Sequence, residues 1–230
     1  IKQCGVLIFF LLLLNILKFD LYLMSTLSFT QSEYARKAAL EFIQHSIPAS
    51  LWNKHVNEVR QLKQSCTQHP LFEHPILTRL NNQMLSLDQL KFIHLNYFTA
   101  IVKTFTDILS MVIYQALQLE QHENIHHADR VHAKAHARYL LSLNLIDELG
   151  FNTHELSLSS PAKSHLIYYM DLLNSLQIQP LNSEQVVLEA HALNQFIQDQ
   201  LSSYNGLLLI LACAELQVIQ FSEALRVNLK

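Results

Sequence analysis

The stretch that decides the fold is LLLILACAELQVIQF, Leu207 to Phe221. Its first eight residues, Leu207 to Ala214, are all apolar. A helix that is apolar around its whole circumference is normally buried. The run is well short of the ~20 residues that cross a bilayer, which points to a protein core. Glu215 interrupts it, with Leu216, Val218 and Ile219 close behind. A lone carboxylate in an apolar interior costs many kcal/mol unless it is protonated, paired or bound to a cation. The expectation is a buried helix whose single acid faces a partner elsewhere in the chain.

The composition around that helix agrees. Half of the 230 residues are hydrophobic, and there are only 3 Gly and 5 Pro. So few turn formers argue against many short strands and for long helices with brief loops, an all-α chain. A net charge of −3 and a pI near 6.5 supply no basic footprint for nucleic acid. Cys4, Cys66 and Cys213 are odd in number and scattered. This suggests a reducing, cytoplasmic setting rather than a disulfide framework, with Cys213 read as small core packing.

Working outward, Ile1 to Leu23 forms an apolar leader with Lys2, Asn15, Lys18 and Asp20 in it. No small-x-small cleavage site follows, and the polar interruptions weaken a spanning helix, so a membrane role depends on whether this leader is native. The expected domain is 24–230, beginning at Met24. Thr30 to Glu33 reads as a capping box, and Pro48 ends the helix it opens. A second helix is expected over about Ser50 to Gln68. Ser86 to Gln89 is another capping box. It opens the longest periodic stretch, in which Leu90, Ile93, Tyr97, Ile101, Phe105, Ile108, Val112 and Leu119 recur every three or four residues. Further helices are expected from about Asp129 to Leu149, ending at Gly150, from Ser160 to Leu176, and from Asn182 to Leu201.

Three ionisable residues fall on faces that packing would otherwise fill: Glu148 in NLIDELG, His165 in SPAKSHLIYYMDLL, and Glu215. Two carboxylates and an imidazole from separate helices are the donor types of a non-haem iron, manganese or zinc centre inside a bundle. Each also has an ordinary reading: a solvated helix end for Glu148, a hydrogen-bonded core histidine for His165, a buried acid bonded to Tyr or His for Glu215. His154, soon after Gly150, rivals His165. The pairs His122/His126 and His132/His136 stand one turn apart in a polar segment that reads mainly as a solvated face.

The segments HPLFEHPILTRL, LSLDQLKFIHLNYFTAIVKTF, NLIDELG, SHLIYYMDLLNSL and LILACAELQVIQF, in this order from about His69 to Lys230, resemble the heme-oxygenase-like diiron oxidases. NLIDELG is the most specific of them. The resemblance implies a heme-oxygenase-like helical bundle in which Glu148, His165 (or His154) and Glu215 bind iron. It also implies O2 as co-substrate and a small organic substrate such as an amino acid, fatty acid or amine. Tyr97, Phe98, Phe105, Tyr168 and Tyr169 would wall the pocket, or pack the core. A homodimer is compatible with it. The family completes a pair of irons with a later helix bearing HxxxDxxH, and that motif is missing from the sequence. The expectation is a chain cut short of that helix. The alternatives are a non-catalytic helical binding protein of the same fold and a metal-free, thiaminase-like or cofactorless relative.

Overall fold

The computed structural model describes residues 31–46, 48–121, 126–153, 155–178 and 183–228. The leader, Thr30 of the first capping box, His122, His154 and Asn182 lie outside them. The described residues form helices and turns with no strand, which makes the fold all-α. The helices are α1 (Gln31–Ser46), α2 (Ala49–Thr67), α3 (Pro75–Asn81), α4 (Leu87–Ala100), α5 (Phe105–Gln115), α6 (His127–Glu148), α7 (His165–Ser175), α8 (Leu188–Asp199) and α9 (Tyr204–Val227).

Local chemistry sets most of the boundaries. Pro48 stands at the N-cap of α2, where its missing N–H costs nothing. His69 and His74 each turn a ring nitrogen onto a backbone N–H two residues on. They thereby cap the 3-10 turn Pro70–Glu73 and α3. The Ser86/Gln89 capping box forms with both reciprocal bonds.

The long periodic stretch is not one rod. It breaks at Ile101 (φ −141°, ψ −41°), passes through a 3-10 turn over Val102–Thr104, and resumes as α5. Thr99 donates its hydroxyl to the Leu95 carbonyl and Thr104 to that of Ile101. Such side-chain bonds compete with the helical ladder and bend it. The expected start of α7 is displaced as well. Ser160-Pro161 opens only a 3-10 turn, and α7 begins at His165 behind its own cap, Ser164. The helix expected from Asn182 gives a 3-10 turn at Ser183–Gln185, then α8 from Leu188.

The main core gathers α2, α5, α6, α8 and α9 around Val59, Ile108, Leu109, Val112, Leu141, Ile197, Leu207 and Leu211. Two smaller cores flank α4: Leu80, Leu90, Ala224 and Leu225 on one side, Leu95, Phe98, Leu173 and Ile178 on the other. Helix α9 is less enclosed than its composition implies, since Leu209 is 52% exposed and Cys213 is exposed too. The segments Leu87–Gln121 and Tyr204–Val227 have the length and apolarity to cross a membrane, by those two criteria only. Both also supply core residues of the bundle.

Polar side chains pin the elements together. Asn96 on α4 accepts from the Val187 N–H at the start of α8. Gln115 and Gln118 donate to the Leu201 and Ser202 carbonyls in the turn before α9. Asn228 ties the end of α9 to Leu80 of α3. The polar run at the start of α6 is more than a solvated face. Arg130 and Arg138 donate to the carbonyls of Glu120 and Ile113, and Lys134 pairs with Glu120. Three cations one turn apart thus clamp α6 onto α5 and the turn that follows it.

Tyr204 is 2% exposed, and its hydroxyl has no hydrogen-bond partner among the described residues. Tyr204→Phe should therefore raise stability in urea by up to about 1 kcal/mol, since it deletes an unpaired buried donor. Burial pushes this hydroxyl well above its ordinary value of 10.0. The folded chain keeps that proton after the unfolded chain has lost it. Stability is thus insensitive to this group below about pH 10 and falls as pH rises further. The Phe variant should show the shallower alkaline loss in urea titrations run across that range.

Candidate functional site

The site grows from the end of α6. Glu148 is the last residue of that helix, Leu149 caps it, and Gly150 follows with φ +85°. The Phe151 N–H bonds the Ile146 carbonyl and the Gly150 N–H that of Asp147. This is the double bond pattern that closes a helix through a left-handed residue. The Gly150 carbonyl accepts from the Ser160 N–H at 3.1 Å. A methyl group at position 150 would sit 2.4 Å from the Ser160 carbonyl oxygen and 2.7 Å from the Ser164 nitrogen. Glycine therefore serves twice here, for its positive φ and for the close passage of another backbone.

That passage delivers His165. With residues 160–164 laid over Gly150, Ser164 caps α7 and His165 becomes its first residue, above the end of α6. His165 Nδ1 lies 2.9 Å from Glu148 Oε1, the Glu148 side chain being 19% accessible and that of His165 60%. The carboxylate also faces the N-terminal turn of α7, where the helix dipole favours negative charge.

Glu215 is half-buried on α9. Burial first, then the Glu215 carboxylate, then that of Glu148 push the Tyr97 hydroxyl of α4 far above its ordinary value, so Tyr97 keeps its proton. The structure thus joins Glu148 to His165 directly and brings Glu148 and Glu215 to bear on one hydroxyl. Among the described residues no group of three or more His, Cys, Asp or Glu gathers as a metal site. The donor types, two carboxylates and an imidazole, suit iron, and two of the three already touch.

Aromatic rings line one side. Tyr97 packs against Tyr169 (centroids 6.1 Å apart) and Phe221 (5.1 Å), and Phe98 stacks on Tyr169 with an interplanar angle of 18°. Tyr168, one step around α7, is 54% exposed, and Phe105 packs against the main core.

A residue not singled out in the sequence, His94, is 1% exposed behind this cluster. Its Nδ1 lies 2.9 Å from Tyr169 Oη, while that hydroxyl donates to the His94 carbonyl at 3.3 Å. With the hydroxyl proton so placed, Nδ1–H donates to Oη. Nε2 then keeps a lone pair with no partner among the described residues. The signal was available: His94 sits four residues from both Leu90 and Phe98 on an apolar stripe, as Glu215 does on its own helix.

The remaining candidates resolve differently. His132 and His136 have ring centroids 6.3 Å apart, and His136 stands edge-on to Phe42 of α1. Burial, then His132, hold His136 below its ordinary value, as for a packing residue. Cys213 is not a core residue. It is exposed, and burial of its sulfur together with the neighbouring Cys66 thiol pushes its own thiol up.

Gly150→Ala should destabilise the chain by roughly 2–4 kcal/mol in urea unfolding, from the left-handed backbone and the backbone clash together. Burial lowers His94 from 6.5, so its neutral form stabilises the fold. That contribution is complete above about pH 6.5 and is lost as pH falls, when the unfolded chain binds the proton first. His94→Gln should therefore flatten the acid limb of stability between about pH 7 and pH 5, read by urea midpoints.

No family model, curated protein or solved structure matches the chain.

Proposed function

We propose that the chain is the helical scaffold of a non-haem, iron-dependent oxidase or oxygenase of the heme-oxygenase-like kind, using O2 on a small organic substrate. One observation carries the reading. His165, at the start of α7, stands 2.9 Å from Glu148 at the end of α6, and the half-buried Tyr97 feels the carboxylates of both Glu215 and Glu148. Like charges are brought close to a buried group only where something offsets them, and a cation does so with the fewest other changes.

In this reading Glu148, His165 and Glu215 hold the metal. Bound iron supplies the ability to bind and reduce O2. The rest belongs to the chain. Glu148 keeps its second oxygen for a cation while His165 engages the first. Tyr97 Oη, protonated under all ordinary conditions, donates a hydrogen bond toward developing negative charge without ionising. The rings of Tyr97, Phe98, Tyr169 and Phe221 keep water from that side. They form an apolar wall suited to the hydrocarbon part of a substrate.

Anaerobic reconstitution with Fe(II) followed by metal analysis tests this. The wild-type chain should retain about one iron, because three donors hold one divalent ion and no more. Glu215→Ala and Glu148→Ala should each weaken retention by more than about tenfold while leaving helicity by circular dichroism unchanged. No retained iron in the wild type would instead favour a non-catalytic binding protein or a metal-free relative.

A further inference from the structure

We propose that His132 and His136 bind one divalent ion of the borderline kind, such as Zn(II), on the outer face of α6. The two belong to the segment HAKAH, in a tract that also carries His122, His126 and His127. More than a third of the chain's 13 histidines thus fall between positions 122 and 136. Such a local density of imidazole is the composition of metal-binding tracts.

Four residues along a helix make about one turn, so both rings leave the same face of α6 and reach toward one ion. Their centroids are 6.3 Å apart, with 34° between the planes. Two imidazoles on one tetrahedral Zn(II), with Zn–N bonds of about 2.0–2.1 Å, stand roughly 5 Å apart by the same measure. The rings need to close by only about 1 Å, which a change in side-chain torsion supplies.

The two residues divide the work. His136 is half-buried, and Phe42 of α1 meets its ring edge-on, with centroids 5.0 Å apart and 74° between the planes. That contact fixes the imidazole before an ion arrives. His132 is exposed and turns toward it from the water side. Burial first, then the neighbouring His132, disfavours a proton on His136, and neutral imidazole is the form that binds a metal. The cations of α6 lie on its far side. Arg130 and Arg138 donate to the carbonyls of Glu120 and Ile113, and Lys134 pairs with the Glu120 carboxylate. Asp129, one turn before His132 on the histidines' own face, adds a negative charge there.

The pair stands 12 residues before Glu148 in the same helix, about 18 Å along its axis. The site is therefore independent of the iron centre proposed above. Two protein nitrogens leave the other coordination positions to water, so the ion exchanges with solvent. While bound, it ties two successive turns of α6 together.

The test titrates the full chain with Zn(II) in a calorimeter, beside chains carrying His132→Ala, His136→Ala or His191→Ala. The first two substitutions should each weaken one equivalent of binding by at least about tenfold. His191→Ala, which removes an exposed histidine of α8, should leave that equivalent unchanged. Phe42→Leu should weaken it several-fold by releasing the His136 ring. Zn(II) should raise the thermal midpoint of the wild type more than that of either α6 variant, because the ion binds the folded helix. Helicity by circular dichroism and Fe(II) retention should be the same in the wild type and both variants, which separates this site from the iron centre. Equal Zn(II) binding by the wild type and both variants, or equal losses from His132→Ala and His191→Ala, would mean an adventitious ion only and would overturn the proposal.

Discussion

The first turn of α7 can cross the end of α6 because residue 150 has no side chain. A Cβ there would press into the backbone of Ser160 and Ser164, and the positive φ would strain any other residue. Remove that contact and Ser164 no longer caps α7 in place, so His165 loses its position above Glu148. The segment that follows α7 in sequence, through α8 to α9, is then hung from a different point. One absent methyl group therefore couples a local backbone requirement to the arrangement of charged groups contributed by three helices.

What those helices enclose is an electrostatic conflict held in check. Tyr97 is half-buried, and its burial together with the carboxylates of Glu215 and Glu148 favours its neutral form. A neutral phenol is the tolerant neighbour for carboxylates in such a place, since it donates a hydrogen bond and adds no charge. The aromatic cluster around it lowers the local dielectric and strengthens every interaction inside. His165 is the more exposed partner of the pair it forms with Glu148. Behind the cluster, His94 and Tyr169 lock α4 to α7 through two hydrogen bonds.

Much of the architecture is legible in the residues themselves. The helical class follows from the scarcity of Gly and Pro, and Ser86/Gln89 and Gly150 mark helix ends by chemistry that acts over four residues. Glu148 and Glu215 stand out as acids set among apolar residues and are both half-buried, whereas His165, expected on a packed face, is exposed at the start of α7. Other features depend on partners distant in sequence. Ile101 fits the periodicity of a continuous helix, and only the competing bonds of Thr99 and Thr104 show why the ladder breaks there. Pro161 is a fair helix opener, yet the turn over Gly150 delays α7 to His165. Cys213 lies within an unbroken apolar run, and nothing local says that its side of α9 faces outward. The basic residues of α6 look like a solvated face until their carbonyl partners on α5 are known.

The break at Ile101 has a wider effect. A straight helix through this region would offer one continuous stripe to one interior. Split by a 3-10 turn, the chain presents Leu90, Leu95 and Phe98 to the two smaller cores and Ile108, Leu109 and Val112 to the large one. Among the described residues, only Val102 packs against both the large core and the one beside Tyr169. The packing around the aromatic cluster is thus largely separate from the packing of the large core.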